Sequence, residues 1–246
     1  MYLDLHIHLV PDIDDGPEDM AESIEMVREL MARGWTGAAV TPHIRTDLFP
    51  NHPEELRRAA ATFSAMLIGE GLEFDVLPGA EHYLDEGVFE LLMGGDGVPL
   101  GGAGSVYLVE VAMDGPAPAL ASQIFRMRLA GMTPLIAHPE RCQVFEDMEI
   151  VARAIEGGAH FQLNLGSLAG LYGRRARSLA SRLLAEGFYS VAATDLHDGT
   201  TARGQLGRWI ELLDRAVGST LRNQLLGVNP RRLVAGKTIF PVGSPR

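Results

Sequence analysis

A chain of 246 residues with 46% hydrophobic side chains can bury the core of one α/β domain, and its net charge of −11 excludes the basic face that nucleic-acid binding requires. No apolar run reaches the roughly 18–20 residues of a membrane span, and Met1-Tyr2-Leu3-Asp4 lacks the basic and apolar segments of a signal peptide. The single cysteine, Cys142, excludes an internal disulfide framework and suits a reducing cytoplasm.

Seven apolar runs follow one another along the chain, and they end in polar side chains, mostly His, Asp or Glu. The first is Leu3-Asp4-Leu5-His6-Ile7-His8, whose two imidazoles lie two residues apart on a strand and so point to one side. The acidic turn Asp12-Ile13-Asp14-Asp15-Gly16 brings carboxylates back towards the same end. Met20 to Arg33 then places Ile24, Val27, Leu30 and Met31 at helical spacing, with Gly34 as the stop. The second run, Ala39 to His43, precedes a helix over Pro53–Gly71 that opens with Pro-Glu-Glu.

The third run, Val76 to Glu81, leads to a glycine-rich flexible loop (Gly94–Gly104) and to the fourth, which ends in Val109-Glu110. That loop is not a dinucleotide fingerprint, because no helix follows it. A helix over Ala119–Gly131 precedes Leu135-Ile136-Ala137-His138. A helix over Glu146–Gly157 precedes Phe161-Gln162-Leu163-Asn164, and one over Arg174–Gly187 precedes Val191 to His197, with Asp195-x-His197 repeating the His6-x-His8 arrangement. A final helix is expected over Gln205–Leu226.

Strand–helix alternation of this kind implies parallel strands joined by right-handed crossovers, with a site at the carboxyl ends of the strands. Residues 1–246 read as one domain, and the fold expected is an α/β barrel of seven strands rather than eight. In a closed barrel the first and last strands are neighbours, so Asp195 and His197 land beside His6 and His8. His43, Glu81, Glu110 and His138 end the strands between. Any one of these would ordinarily be a hydrogen-bonded loop residue; their gathering at one end is what points to metal. These donors exceed the needs of one tetrahedral site. Two or three divalent cations fit better, with a carboxylate such as Glu81 able to bridge two of them. His52 reads as surface, and His82 and His160 do not fit the pattern.

Arg141, just beyond His138, and Arg203, just past Asp195-x-His197, carry guanidinium forks suited to a phosphate; Arg45, close to His43, is a third candidate. Of the 21 basic residues only Lys237 is lysine, which removes a Walker lysine, a strand Schiff-base lysine and a carbamylated lysine bridging two metals. Cys142 has Met148 six residues later, where a cysteine-phosphatase loop needs arginine.

His6-x-His8, Asp14-Asp15-Gly16, Thr41-Pro42-His43, Gly79-Ala80-Glu81, Glu110, His138-Pro139-Glu140-Arg141, Asp195-x-His197 and Asn229-Pro230-Arg231-Arg232-Leu233 together resemble the polymerase-and-histidinol-phosphatase (PHP) superfamily. Within it they are most similar to the bacterial manganese-dependent protein-tyrosine phosphatases of capsule and exopolysaccharide loci, the CpsB/YwqE type. The resemblance implies a distorted seven-stranded (β/α)7 barrel of PHP type. It assigns His6, His8, Glu81 and Asp195 to a first metal, with Glu81 bridging to a second completed by Glu110 and His138. Asp15, His43 and His197 would hold a third. It makes Arg141 and Arg203 phosphate-binding, Mn²⁺ the expected cation (Fe or Zn being alternatives), and phosphotyrosine on the tail of a bacterial tyrosine autokinase the substrate. A small-molecule phosphatase of the histidinol-phosphate kind and a non-catalytic metal-binding partner protein are the rival readings.

Overall fold

A computed structural model of the chain describes residues 1–239, so residues 240–246 of the expected 1–246 domain lie outside it. The chain opens with β1 (Tyr2–Ile7), α1 (Met20–Met31), β2 (Trp35–Val40), β3 (His43–Ile44) and α2 (Pro53–Gly69). Next come β4 (Asp75–Pro78), β5 (Glu81–Tyr83), α3 (Glu86–Met93), β6 (Val106–Glu110), α4 (Leu120–Leu129) and β7 (Thr133–Ile136). The remainder is α5 (Met148–Glu156), β8 (His160–Asn164), α6 (Leu165–Ala169), α7 (Gly173–Ala185), β9 (Val191–Ala193), α8 (Gly199–Asn223) and α9 (Asn229–Val234). No helix among the described residues is long and apolar enough to cross a membrane.

Every strand pair is parallel, as helical crossovers demand. The ladders form two sheets, ordered β1-β2-β4 and β3-β5-β6-β7-β8-β9. The division arises because two of the expected runs are each broken in two. Thr41-Pro42 separates β2 from β3, where proline has no N–H to give, and Gly79-Ala80 separates β4 from β5. The sheets meet through single hydrogen bonds: Asp195 N donates to His6 O (2.8 Å), His8 N to Leu196 O (3.0 Å) and Glu81 N to Pro42 O (3.1 Å).

Two apolar layers result. Ile24, Val27, Phe63, Ile124 and Leu183 belong to a large cluster between helices and strands, whereas Leu3, Leu5, Ala39, Leu108, Leu135 and Val191 pack together on the strands' other, inner face. β1 changes register against β2 midway. It advances three residues from Asp4 to Ile7 while β2 advances two, from Ala38 to Val40. This bulge turns the inner face over from Leu3 and Leu5 to His6 and His8, the re-aiming of side chains for which bulges beside functional sites are known.

Helix positions agree with the sequence except where a cap or a short element was hidden. α8 begins at Gly199 rather than Gln205, because Asp198 caps it by accepting from Thr201 N (2.7 Å) and the Thr201 hydroxyl (2.8 Å). Three short helices lie outside the expected set: α3, capped by Asp85 on Val88 N (2.8 Å), the five-residue α6 and the six-residue α9. The glycine-rich loop is anchored: Val98 and Leu100 are buried, and Leu100 N bonds Val106 O (2.8 Å).

Candidate metal centre

Glu81 opens β5 immediately after the break in its strand and lies at the middle of the donors. Its Oε2 is 3.1 Å from His6 Nε2, 3.1 Å from His43 Nδ1 and 3.5 Å from His8 Nε2, and its Oε1 is 3.0 Å from His138 Nε2. Asp195 Oδ1 lies 3.0 Å from His6 Nε2 and 3.6 Å from His8 Nε2. Asp15 Oδ1 is 3.4 Å from both His43 Nε2 and His197 Nε2. Three overlapping donor groups follow: His6, His8, Glu81 and Asp195; His8, Asp15, His43 and His197; and His43, Glu81 and Glu110. The nine expected donors are therefore brought to one place. The third group differs in composition from expectation: His43 shares it with Glu81 and Glu110, its Nδ1 lying 3.1 Å from Glu81 Oε2. His138 joins through Glu81 Oε1, with Glu110 Oε1 4.0 Å away.

These atoms are short of hydrogen bonds. Nine buried side-chain N and O atoms among the described residues lack a partner, and six belong to this cluster: His6 Nε2, His8 Nε2, His43 Nδ1, Glu81 Oε2, Glu110 Oε2 and His138 Nδ1. An unsatisfied buried polar atom costs about 1–3 kcal/mol, so six in one pocket need a common reason. Two ligands each about 2.1 Å from one cation stand about 3.0 Å apart at a right angle and about 3.4 Å apart at the tetrahedral angle. The spacings of His6, His8 and His43 to Glu81 Oε2, and of His6 and His8 to Asp195 Oδ1, fall near those values without hydrogen-bond geometry; His138 Nε2 and Glu81 Oε1 do make a hydrogen bond (3.0 Å). The donor set fits divalent metal.

The surroundings aim the rings. His8 Nδ1 donates to Asp14 Oδ2 (2.6 Å), which turns its Nε2 lone pair into the pocket; the same oxygen accepts from His43 N (3.0 Å). Gly16 lets this acidic turn close down, since a Cβ there would sit 3.0 Å from both His8 Cβ and Asp14 Oδ1. His6 Nδ1 bonds Gln162 Oε1 (3.0 Å), which also accepts from His138 N (3.1 Å). His138 (φ 30°) and Asp195 (φ 51°) both hold left-handed backbone, a strain that non-glycine residues tolerate chiefly at functional sites.

Electrostatics follow from this crowding. Burial opposes charge on His6, but the Asp195 and Glu81 carboxylates outweigh it and hold the imidazole well above its ordinary range. For His8, Asp14 likewise overcomes burial. Burial favours neutral Glu81 and Asp195, yet the His6 imidazole beside both leaves each well below the usual carboxylate range. Glu110 is pushed up to about 7 by burial and then by the Glu81 charge. Cation binding to these groups would compete with their protonation.

Arg141 stands at the edge of the cluster. Its Nη1 donates to Asp195 Oδ2 (2.9 Å), and its guanidinium lies 4.1 Å over the Tyr172 ring. Asn164 Nδ2 donates to the same Asp195 oxygen (2.6 Å) and lies 3.3 Å from Tyr172 OH. Behind it Glu140 is fully buried, accepting from Asn164 N (2.9 Å) and Tyr189 OH (2.8 Å). Arg203 is not brought to this cluster: it is 59% exposed and paired with Glu25 of α1. Arg45 pairs with Asp47 (2.7 Å) and covers the Tyr83 ring at 4.1 Å. His52 is exposed. His82 and His160 are bonded elsewhere, to Leu108 O (2.9 Å) and the Ser190 hydroxyl (2.8 Å). Gln162, Asn164 and Tyr172 join the site without belonging to the expected donors or arginines. The one signal was two amides inside the apolar run Phe161–Asn164.

Residues 2–235 match the family described as capsular polysaccharide synthesis, CpsB/CapC. The chain is 32% identical over 240 residues to the tyrosine-protein phosphatase YwqE of Bacillus subtilis (strain 168), covering 97% of this chain and 93% of that one. To the tyrosine-protein phosphatase CpsB of Streptococcus pneumoniae it is 23% identical, covering 96% and 100%. In three dimensions it superposes, with a TM-score of 0.88 and 30% identity, on a chain from the crystal structures of YwqE from Bacillus subtilis and CpsB from Streptococcus pneumoniae. Those two are described as unique metal-dependent tyrosine phosphatases, and the match covers 99% of this chain and 100% of that one.

Proposed function

The chain belongs to the CpsB/CapC family of capsular polysaccharide synthesis, and from that premise we propose that it is a metal-dependent protein-tyrosine phosphatase. Its substrate would be phosphotyrosine on a bacterial tyrosine autokinase that serves capsule or exopolysaccharide synthesis. The observation that carries the reading is the set of six unpartnered buried donor atoms around Glu81, with a guanidinium beside them. We read the two sheets, joined at His6–Asp195 and Pro42–Glu81, as one distorted seven-stranded PHP-type barrel whose carboxyl ends bear the site. A cytoplasmic setting, which the sequence predicts, suits the single buried thiol.

His6, His8, Glu81 and Asp195 would hold one cation. Asp15, His43 and His197 would hold another, and Glu81, Glu110 and His138 a third that shares the Glu81 carboxylate. Mn²⁺ suits this mixed imidazole and carboxylate set, and Fe and Zn are the alternatives. Such cations, when bound, supply positive charge for the phosphoryl oxygens and an activated water for in-line attack. Arg141 presents its free N–H groups to the spreading negative charge, held in place by Asp195 on one side and Tyr172 on the other. Arg203 would reach the phosphate only by leaving Glu25. Cys142 takes no part: its thiol is buried against Val111 O (3.3 Å), and burial pushes its pKa up, away from thiolate.

The test is exhaustive chelation followed by Mn²⁺, read on a tyrosine phosphopeptide and on histidinol phosphate. Chelation should abolish turnover, Mn²⁺ should restore it with the phosphopeptide preferred, and Cys142→Ser should behave as the parent. Activity that survives complete removal of metal refutes the assignment.

A further inference from the structure

We infer that Leu48 and Phe49 form an apolar rim which receives the aromatic ring of the substrate and so determines its preference for aryl over alkyl phosphates. The inference rests on the phosphatase reading above and deepens it.

Residues 45–49 make a tight two-stranded loop directly after β3. Arg45 and Phe49 exchange two backbone hydrogen bonds, each 2.9 Å. The loop is braced at several points. Arg45 is held by Asp47 and lies over Tyr83, and the Thr46 hydroxyl donates to Asp85 (2.9 Å). Asn51 Nδ2 donates to His43 O (2.9 Å) and Ile13 O (3.1 Å), which ties the loop base to the acidic turn.

This braced loop carries two large apolar side chains that do not enter the core. Leu48 is 60% exposed. Phe49 is half-buried, and its ring lies parallel to the His43 imidazole, 12° between planes and 5.3 Å between centroids. His43 is itself one of the donors facing Glu81 and Asp15. A single exposed leucine means little. Here, however, Leu48 adjoins a Phe49 ring stacked on His43, one of the donors of a pocket otherwise made of imidazoles, carboxylates and a guanidinium.

The chemistry of an aryl phosphate explains such an edge. One ester oxygen joins phosphorus to the ring, so a phosphoryl group among the donors leaves its ring at the rim beside His43. A phosphoserine places only a methylene there. Packing an aromatic ring against Phe49 and Leu48 would favour the aryl substrate by roughly three- to tenfold.

The decisive measurement is a selectivity ratio. Metal-loaded parent, Leu48→Ser, Phe49→Ala and Phe49→Tyr proteins are compared by kcat/KM on tyrosine and serine phosphopeptides of one sequence. Equilibrium binding of phenylphosphonate and methylphosphonate is measured alongside. Phe49→Ala should lower the aryl-to-alkyl ratio about tenfold in both assays and Leu48→Ser about threefold, with Phe49→Tyr restoring most of it. Leu48 lies at the exposed tip of the loop, so its variant keeps the test open if Phe49→Ala fails to fold. Equal losses on aryl and alkyl probes would make Phe49 a mere prop for His43 and overturn the inference, as would unchanged ratios. A parent protein that binds neither phosphonate and hydrolyses neither peptide would overturn the phosphatase reading itself. Turnover of both peptides with variant ratios unmoved defeats the rim alone.

Discussion

Glu81 and His82 are consecutive on β5, both fully buried, and they face opposite sides of the sheet. Glu81 looks into the pocket, where Oε2 lies among three imidazoles without a hydrogen bond. His82 looks the other way, and both its ring nitrogens are used: Nδ1 donates to Leu108 O (2.9 Å) and Nε2 accepts from Val98 N (3.1 Å). Its pKa is accordingly low, about 4, from burial. The contrast recurs among the carboxylates. Glu140 is buried but has its oxygens taken by Asn164 N and Tyr189 OH, whereas Glu110 keeps a buried oxygen unpartnered. Buried polar groups that hold the fold together close on one another; those at the carboxyl ends of the strands stay open towards a common centre. Burial alone separates neither kind, while hydrogen-bond completeness separates both.

The largest effect that follows is at Glu81. Glu81→Gln keeps the shape but removes the charge shared by the imidazoles of His6, His8, His43 and His138. Bound metal should fall by at least one equivalent and turnover by about 10³-fold, with circular dichroism unchanged. Elemental analysis alongside kcat measures both. A variant with full metal content and parental rate would place the centre elsewhere.

A smaller loss is expected at Arg141, on the edge of the pocket. Arg141→Lys keeps the charge but loses the planar fork that rests on Tyr172 while bonding Asp195, so kcat/KM should fall about 10²-fold with metal content intact. Arg203→Ala removes an exposed side chain paired with Glu25 and should cost a smaller factor. Reversal of that order would show that Arg203 leaves Glu25 to meet the phosphate.

The convergence of the donor side chains was legible because parallel strands buried on both faces read as apolar runs, and polar residues at their ends fall on one edge of the sheets. His6, His8, Asp195 and His197 needed only alternation along a strand and the proximity of first and last strands. What stayed hidden depends on contacts between segments far apart in the chain. The bulge in β1 shows only against β2. That His43 meets both Glu81 and Asp15 depends on how β3 sits after the Thr41-Pro42 break. The Arg203–Glu25 pair depends on α1 packing against α8. Gln162 was visible as an amide in an apolar run, but its service to His6 and His138 together required the cross-strand geometry.

The paired side of the comparison yields the last and mildest prediction, one of stability with little effect on catalysis. His82→Ala strands Val98 N–H and Leu108 C=O in the core, which should cost about 2–4 kcal/mol. The pH dependence identifies the cause. Folded His82 has its pKa depressed to about 4 from an ordinary 6.5, so the unfolded chain binds this proton first as the solution is acidified. The stability that the neutral ring contributes is complete above pH 6.5, declines as pH falls through the window to 4, and amounts to about 3 kcal/mol. His160, also lowered to about 4 by burial, acts in the same window with the same sign, and Glu110 and Glu140, raised to about 7, act with the opposite sign, so the quantity that reports on His82 is the difference between the parent and variant slopes. Urea unfolding between pH 7.5 and 4.5, carried out in chelator so that metal uptake at Glu81 adds no slope of its own, measures this. Parallel curves for parent and variant would mean that His82 already takes up its proton in the folded state, and that the closed side of β5 is less closed than its hydrogen bonds imply.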